Sequence, residues 1–125
     1  MKRVPVKFIT RKVLGMMLAA SKDSHPNEFA CVLRAEGDTI TEILLVPGTI
    51  SGARTAILRL HMLPIDFSVV GSAHSHPTPN AIPSRADLEL FSRFGPIHMI
   101  IGYPYIMNSW RAYNRDGETI NLEVV

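Results

Sequence analysis

The chain has 125 residues, of which 46% are hydrophobic, and this fits one globular domain spanning residues 1–125 with a core of its own. Its 13 basic and 11 acidic residues give a formal net charge of +2 without a dense basic cluster, so neither nucleic acid nor a membrane surface is expected as a partner. A domain of this size folds without a structural metal, so any metal that it binds is expected to be functional.

The sequence contains one cysteine, Cys31. A single thiol forms no intrachain disulfide and excludes every zinc site that needs two thiolates. The apolar segment 29–33 around it predicts a small buried side chain rather than a reactive one. A lone cysteine is typical of a reducing compartment, and no apolar run reaches the roughly 18 residues of a membrane span. We therefore expect a soluble, cytoplasmic protein.

The first predicted element is a helix from Arg11 to about Lys22, with Thr10 as its N-cap. Basic residues followed by the apolar stretch 13–20 also resemble a signal peptide, but the cap and the helical spacing favour the helix. The apolar face predicted for this helix consists of Val13, Met16, Met17 and Ala20.

The middle of the chain is predicted to form strands, because its apolar runs are short and rich in β-branched residues. A hairpin turn is expected at Gly37 and Asp38, a second turn at Pro47 and Gly48, and a short turn or helical piece at 62–64. The predicted strands cover residues 29–33, 39–46, 55–60 and 67–73, and the last of them leads directly into His74.

Three prolines in the segment 77–83 predict a constrained loop, and an amphipathic helix from Ser84 to Phe94 follows it. Leu88, Phe91 and Phe94 are its expected core contacts. Strands are predicted at 98–102, 109–113 and 119–125, the last two joined by a turn at 114–117. The predicted fold is therefore α/β, of mixed α+β type, with a central mixed β-sheet flanked by two main helices.

The residues with the strongest chemical signal are His74, His76 and Asp87. Successive side chains of a strand alternate between faces, so both histidines point to one side while Ser75 points to the other. Asp87 falls in the first turn of the second helix, where the helix dipole favours a carboxylate. Two imidazoles and one carboxylate are sufficient protein ligands for a catalytic zinc, with water in the fourth position.

Each part of this pattern also has an ordinary structural explanation. Ser84 and Asp87 fit a capping box of the second helix. A pair of histidines at a strand end is more often exposed or hydrogen-bonded than bound to metal. The specificity of the signal comes from the ordered combination, not from any single residue.

That combination resembles a known family. His74-Ser75-His76-Pro77, six residues, Ser84, two residues and Asp87 is similar to the H-[ST]-H-P-x6-S-x2-D motif of the JAMM metalloproteases, also called MPN-plus domains. The family also has a glutamate on an early strand, and Glu28 matches it, 46 residues before His74. Family members often have glycine at the positions of Cys31 and near Ala35, so the packing behind Glu28 differs here.

The resemblance implies a cytidine-deaminase-like JAMM domain that binds one Zn²⁺ ion per chain through His74, His76 and Asp87. It implies that Glu28 takes a proton from a zinc-bound water, whose pKa zinc lowers to about 7, and passes it to the leaving amine. It also implies that Ser84 and zinc stabilise the oxyanion, although helix capping competes for the Ser84 hydroxyl. The expected activity is therefore that of a zinc metalloprotease or isopeptidase.

The substrate class that the resemblance implies is a ubiquitin-like protein conjugate, cleaved by a monomer or a homodimer. Alternatives are a JAMM peptidase that processes sulfur-carrier proteins or other peptides, and a non-catalytic MPN interaction module. A zinc deaminase of nucleobases has a related sheet, but it needs two nearby thiolates, and the single cysteine excludes it. The other histidines, His25, His61 and His98, are predicted to be structural or exposed.

Overall fold

The computed structural model describes residues 4–45 and 67–125, which form two helices and one eight-stranded sheet. The helices are α1 (Arg11–Ser24) and α2 (Arg85–Arg93). The strands are β1 (Phe8–Ile9), β2 (Ala30–Glu36), β3 (Thr39–Leu45), β4 (Val69–His76), β5 (Ile97–Gly102), β6 (Trp110–Tyr113), β7 (Thr119–Ile120) and β8 (Glu123–Val124). Four predictions lie outside the described residues: the turn at Pro47 and Gly48, the strand 55–60, the piece 62–64 and the role of His61.

The sheet is mixed and has the strand order β7-β6-β5-β4-β2-β3-β1-β8. Three neighbouring pairs are parallel, namely β4–β5, β1–β3 and β1–β8, and the other four are antiparallel. The prediction of a mixed sheet with two helices is confirmed. The prediction of one closing strand over 119–125 is wrong, because β7 and β8 lie at opposite ends of the sheet. Only Asn121 and Leu122 separate them, so the sheet curls and brings its two ends close together, and Leu122 turns into the core.

Helix α1 begins where predicted, since the Thr10 hydroxyl accepts a hydrogen bond from the Val13 amide at 3.2 Å. Its buried face is shifted from the predicted one. Met16 is 50% exposed, whereas Leu14 is fully buried in the main core. The helix packs on the sheet through a stripe of residues three and four apart, and Met16 lies outside it. The residues of that stripe are Val13, Leu14, Met17, Leu18 and Ser21.

Helix α2 packs on the opposite face of the sheet. Phe91 and Phe94 are buried as predicted, but Leu88 is 40% exposed and Leu90 takes the expected core position at 1% exposure. Leu88 instead lies beside the turn at Gly117, where an added Cβ would come within 2.3 Å of the leucine Cδ2. Leu90 and Phe94 pack with residues of β2, which fixes α2 over the centre of the sheet.

The single thiol lies where the sequence predicts it. Cys31 is fully buried, and burial raises the pKa of its thiol to about 12, as expected for a structural rather than a reactive cysteine. Among residues 4–45 and 67–125, no helix has the length and apolar character needed to cross a membrane.

Strand β4 carries His74 and His76, and it lies unusually close to its parallel neighbour β5. At Gly71 an added Cβ would lie 1.5 Å from the carbonyl oxygen of Ile97. The approach also depends on Gly95, whose φ of +82° is in the left-handed region and whose Cβ would meet the Val70 carbonyl at 2.5 Å. Glycine is therefore required at both positions to bring β4 and the chain after α2 together.

His98 links β4, β5 and the end of α2. Its ring is fully buried and stacks on Phe91 with 4.4 Å between ring centroids. The Gly95 carbonyl lies 2.9 Å from Nε2 and must accept from its N–H, so Nδ1 accepts from the Ser72 hydroxyl at 2.7 Å. His98 is therefore a structural histidine, as predicted, and it is bonded in its neutral form.

Acid is expected to destabilise the protein through His98. Burial lowers the pKa of this imidazole from 6.5 to about 4, so between these values the unfolded chain binds the extra proton and the folded one does not. The contribution is fully present above pH 6.5 and is lost as the pH falls toward 4. Each pH unit in that interval is worth about 1.4 kcal/mol, so we expect a loss of about 3 kcal/mol in the free energy of unfolding.

Urea unfolding at pH 7.5, 5.5 and 4.5 tests this expectation by comparison with His98→Gln. The glutamine variant should be less stable at neutral pH, and its stability should change less between pH 7.5 and 4.5. Equal pH dependence in both proteins would assign the acid sensitivity to other groups.

Candidate metal centre

The site forms where β2 begins and β4 ends. These strands are antiparallel neighbours, and their register places Ala30 opposite His74. Glu28 lies two residues before Ala30, so strand alternation puts it on the same face as His74 and His76. The ligand atoms of Glu28, His74 and His76 all lie within 4.8 Å of one another. Glu28 is half-buried, His74 is buried and His76 is partly exposed, so the group borders the solvent.

Asp87 closes the site from the side of α2. The Nε2 atoms of His74 and His76 lie 3.2 Å apart. One carboxylate oxygen of Asp87 is 3.1 Å from the Nε2 of His74, and the other is 3.2 Å from the Nε2 of His76. The structure thus brings together all three residues predicted to bind metal, with Asp87 in direct contact with both rings.

The two imidazoles are held differently. The Nδ1–H of His76 donates to the Asn80 carbonyl at 2.8 Å, so the neutral ring directs the lone pair of its Nε2 toward His74 and Asp87, whereas the protonated ring donates from Nε2 to Asp87. A hydrogen bond to Asp87 is the main reason that the pKa of His76 is raised, and the nearby charge of Glu28 raises it further. His74 is buried and contacts Asp87 through its Nε2, while its Nδ1 meets no hydrogen-bond partner among the residues that the structure describes.

Asp87 serves the helix and the site at once. Its amide donates to the Ser84 hydroxyl at 3.1 Å, and its carboxylate accepts from the Ser84 amide at 2.9 Å, which completes the predicted capping box. Burial alone raises the pKa of this fully buried carboxyl, but hydrogen bonds from His74 and His76 outweigh burial and hold it well below its ordinary value. The capping explanation is therefore correct and does not exclude a metal-binding role, because the carboxylate stays ionised and faces both rings.

The loop 77–83 is anchored at several points that the sequence did not single out. Tyr113 donates its hydroxyl to the Ala81 carbonyl at 2.5 Å, and the Tyr103 amide donates to the Thr78 carbonyl at 3.0 Å. Gly102 lies opposite His76 in β5, and an added Cβ there would come within 3.1 Å of two loop carbonyls. These contacts fix the loop whose Asn80 carbonyl orients His76. Gly102, at the end of a predicted strand, was a sequence signal that could have indicated a close backbone approach there.

The donor set fits a tetrahedral metal ion such as zinc. Ligand atoms about 2.0–2.1 Å from a tetrahedral zinc lie roughly 3.3 Å from one another. The two imidazole Nε2 atoms lie 3.2 Å apart, and each is 3.1–3.2 Å from a different oxygen of the Asp87 carboxylate, close to that spacing. Two neutral imidazole nitrogens and an ionised carboxylate are also the ligand types that zinc prefers. The chemistry and the spacing both favour a metal at this position.

His25 lies outside this cluster. Its Nδ1 is 2.7 Å from the hydroxyl of Tyr105, and its ring packs against those of Tyr103 and Tyr105 with centroids 5.2 and 5.6 Å away. This aromatic contact joins the end of α1 to the loop that follows β5. His25 is therefore an exposed structural histidine, in agreement with the prediction.

Comparison with known proteins places this geometry in a family. A sequence model described as prokaryotic homologues of the JAB domain matches residues 10–113. A protein of Haloferax volcanii named as a probable metalloprotease is 39% identical, over 94% of this chain and 83% of the relative. The family model spans every predicted site residue, and the match to the relative spans nearly the whole chain.

Solved structures agree. A JAB1/MPN domain protein from Archaeoglobus fulgidus has a TM-score of 0.77 at 39% identity, covering 95% of this chain and 96% of the other. A structure described as JAMM, a metalloprotease-like zinc site in the proteasome and signalosome, has a TM-score of 0.77 at 40% identity, covering 96% and 98%. With a family match over most of its length, a close relative and the clustered motif residues, this chain belongs to the prokaryotic JAB branch of the JAMM metalloprotease-like domains.

Proposed function

We propose that the protein is a zinc-dependent peptidase that hydrolyses peptide or isopeptide bonds and removes ubiquitin-like modifiers from protein conjugates. The observation that carries the proposal is the meeting of two imidazole nitrogens with the ionised Asp87 carboxylate, with a second carboxylate, Glu28, at the same opening. A metal site that only stabilised the fold would not need the Glu28 carboxylate beside it at the solvent-facing edge.

His74, His76 and Asp87 hold the zinc ion in this proposal. When bound there, zinc would polarise the scissile carbonyl and acidify a water molecule, which is the chemistry that amide hydrolysis needs at neutral pH. The hydrogen bond from His76 to Asn80 and the capping box around Asp87 keep two of the ligands in place before the ion arrives. Such preorganisation favours binding because little rearrangement is needed.

Glu28 acts as the proton carrier. Its carboxylate lies at the opening of the site, near both imidazoles, and accepts a proton from the attacking water. The protonated Glu28 then donates to the amine that leaves when the carbon–nitrogen bond breaks. Asp87 is the less suitable carrier because it is fully buried and its oxygens already accept from the Ser84 amide and face the two rings.

Ser84 stabilises the oxyanion without giving up its role as a cap. The cap uses a lone pair of the hydroxyl oxygen, which accepts from the Asp87 amide, so the O–H group remains able to donate. Ser84 is exposed at the start of α2, where a bound carbonyl could reach it. Loss of an oxyanion donor of this kind typically raises the barrier by about 2.7–4 kcal/mol.

The position of the site favours an extended substrate segment. Both β2 and β4 lie in the interior of the sheet, so a substrate chain would cross the strand ends instead of adding a strand to the edge. The C-terminal tail of a ubiquitin-like protein is narrow and extended and ends at the bond to be cut, which suits such an opening. A folded globular surface would not reach His74, which is 3% exposed.

Cleavage of defined substrates tests the proposal. The zinc-loaded protein is incubated with an isopeptide-linked conjugate of a ubiquitin-like protein, with a linear fusion through the same tail, and with unrelated plain peptides, and products are identified by mass. We expect cleavage immediately after the tail of the modifier, and none after the metal is removed with a chelator. Cleavage of only the plain peptides would instead favour a general peptidase, and no cleavage of any substrate would favour a non-catalytic module.

A further inference from the structure

Ser75 lies between the two histidines in sequence but on the other face of the sheet. It is fully buried, and its side chain points toward the core that α1 covers. It therefore cannot contact a metal held by His74 and His76. Its own contacts run across to the neighbouring strand and reach the segment that carries Glu28.

Two hydrogen bonds join Ser75 to Phe29, the residue after Glu28. The Ser75 amide donates to the Phe29 carbonyl at 2.9 Å, and the Phe29 amide donates to the Ser75 hydroxyl at 2.8 Å. In an ordinary antiparallel pair of this kind, both bonds would be between backbone groups. Here the serine side chain provides one acceptor, at the position where β2 separates from the ladder.

These two hydrogen bonds hold the backbone segment that carries Glu28. Phe29 is buried, so its amide has little access to water and depends on the serine hydroxyl as its acceptor. The Phe29 amide belongs to the same peptide group as the Glu28 carbonyl, so the hydrogen bond to Ser75 restrains the backbone from which the Glu28 side chain extends. The same serine is flanked by His74 and His76, so one residue ties the position of the carboxylate to that of both rings.

We propose that Ser75 is a positioning residue that holds Glu28 at its working distance from the metal ligands. The inference rests on the proposed hydrolytic role of Glu28 and adds a residue that touches neither substrate nor metal. A shift of about 1 Å in a catalytic group can reduce turnover by roughly 100-fold. The hydroxyl of Ser75 should therefore matter to catalysis although it is buried behind the site.

The test compares Ser75→Ala with Ser75→Thr, which keeps a hydroxyl. In the alanine variant we expect kcat to fall roughly 10- to 100-fold, with KM and the metal content per chain nearly unchanged. The threonine variant should recover most of the turnover. Ser21→Ala is the matched control, because Ser21 is equally buried and its hydroxyl also bonds to a backbone group at 2.8 Å, but on α1. It should retain the kcat of the unaltered protein.

Amide hydrogen exchange gives a readout that does not depend on activity. The Phe29 amide should exchange slowly in the unaltered protein and in the threonine variant, and fast in Ser75→Ala, while amides of β2 beyond Val32 keep their protection. Fast exchange of the Phe29 amide in the unaltered protein, or an alanine variant with normal kcat, would overturn the inference. Absence of hydrolysis by the unaltered protein would instead overturn the proposed function, and the two failures are thereby distinguished.

Discussion

Replacement of Glu28 by glutamine is expected to abolish hydrolysis while leaving both the fold and the metal in place. Glutamine has nearly the same size, but its amide accepts no proton at neutral pH, so water loses its base and the leaving amine loses its acid. Proton transfer by a positioned group contributes roughly 10²–10⁴-fold to a rate, and both transfers depend on this residue. We therefore expect turnover to fall by at least about 10³-fold, measured as kcat on a cleavable conjugate.

Glu42→Gln is the matched control. Glu42 is an exposed carboxylate on β3 that pairs with Arg34 at 3.3 Å, so its loss removes the same charge without touching the site. It should leave kcat unchanged. Zinc analysis of the Glu28→Gln protein should give the content of the unaltered protein, and undiminished turnover in that variant would mean that another base acts.

Replacement of His74 by alanine is expected to remove the metal. His74 is 3% exposed and contributes the Nε2 atom that faces both His76 and Asp87. Without it two protein ligands remain in the proposed set, and we expect metal affinity to fall by more than the 10- to 100-fold that is typical of losing a residue behind a ligand. Hydrolysis should fall to the level of the metal-free protein.

Metal titration measures this effect directly, and His25→Ala provides the comparison. His25 is a histidine at the same end of the sheet, but it bonds to Tyr105 and lies outside the cluster, so its loss should leave the metal content unchanged. Unchanged zinc in the His74→Ala protein would contradict the assigned ligand set, whatever its activity.

The metal ligands could be predicted from the sequence because their placement follows from spacing within single strands and helices. Alternation along one strand puts His74 and His76 on the same face, and Ser84 as an N-cap places Asp87 in the first turn of α2. The resemblance to the JAMM motif then indicated Glu28. The supporting contacts could not be predicted in this way, because the bonds from Ser75 to Phe29 and from His76 to Asn80 depend on how separate segments meet in space.

The fold was predicted less completely for similar reasons. Strands β1, β7 and β8 have two residues each, which is too short for a periodic pattern, and β8 exists only because β1 lies beside it. Met16 and Leu88 were predicted to be buried but are exposed. Helical spacing shows which residues share a face of the helix, but it does not show which part of that face packs on the sheet. What packs against a helix decides which of its apolar residues is covered, as the turn at Gly117 shows for Leu88.

The capping box of α2 has a thermodynamic consequence. One carboxylate, that of Asp87, both closes the first turn of the helix and faces the two imidazoles. An ion that binds only when this turn is formed adds its binding free energy to the stability of the turn, and a well-formed turn raises the affinity for the ion by the same amount. Removal of the ion would therefore loosen α2 at its beginning, where the proposed oxyanion donor lies. In the proposed metal-bound protein, the order of this helical turn and the occupancy of the metal site are therefore thermodynamically coupled.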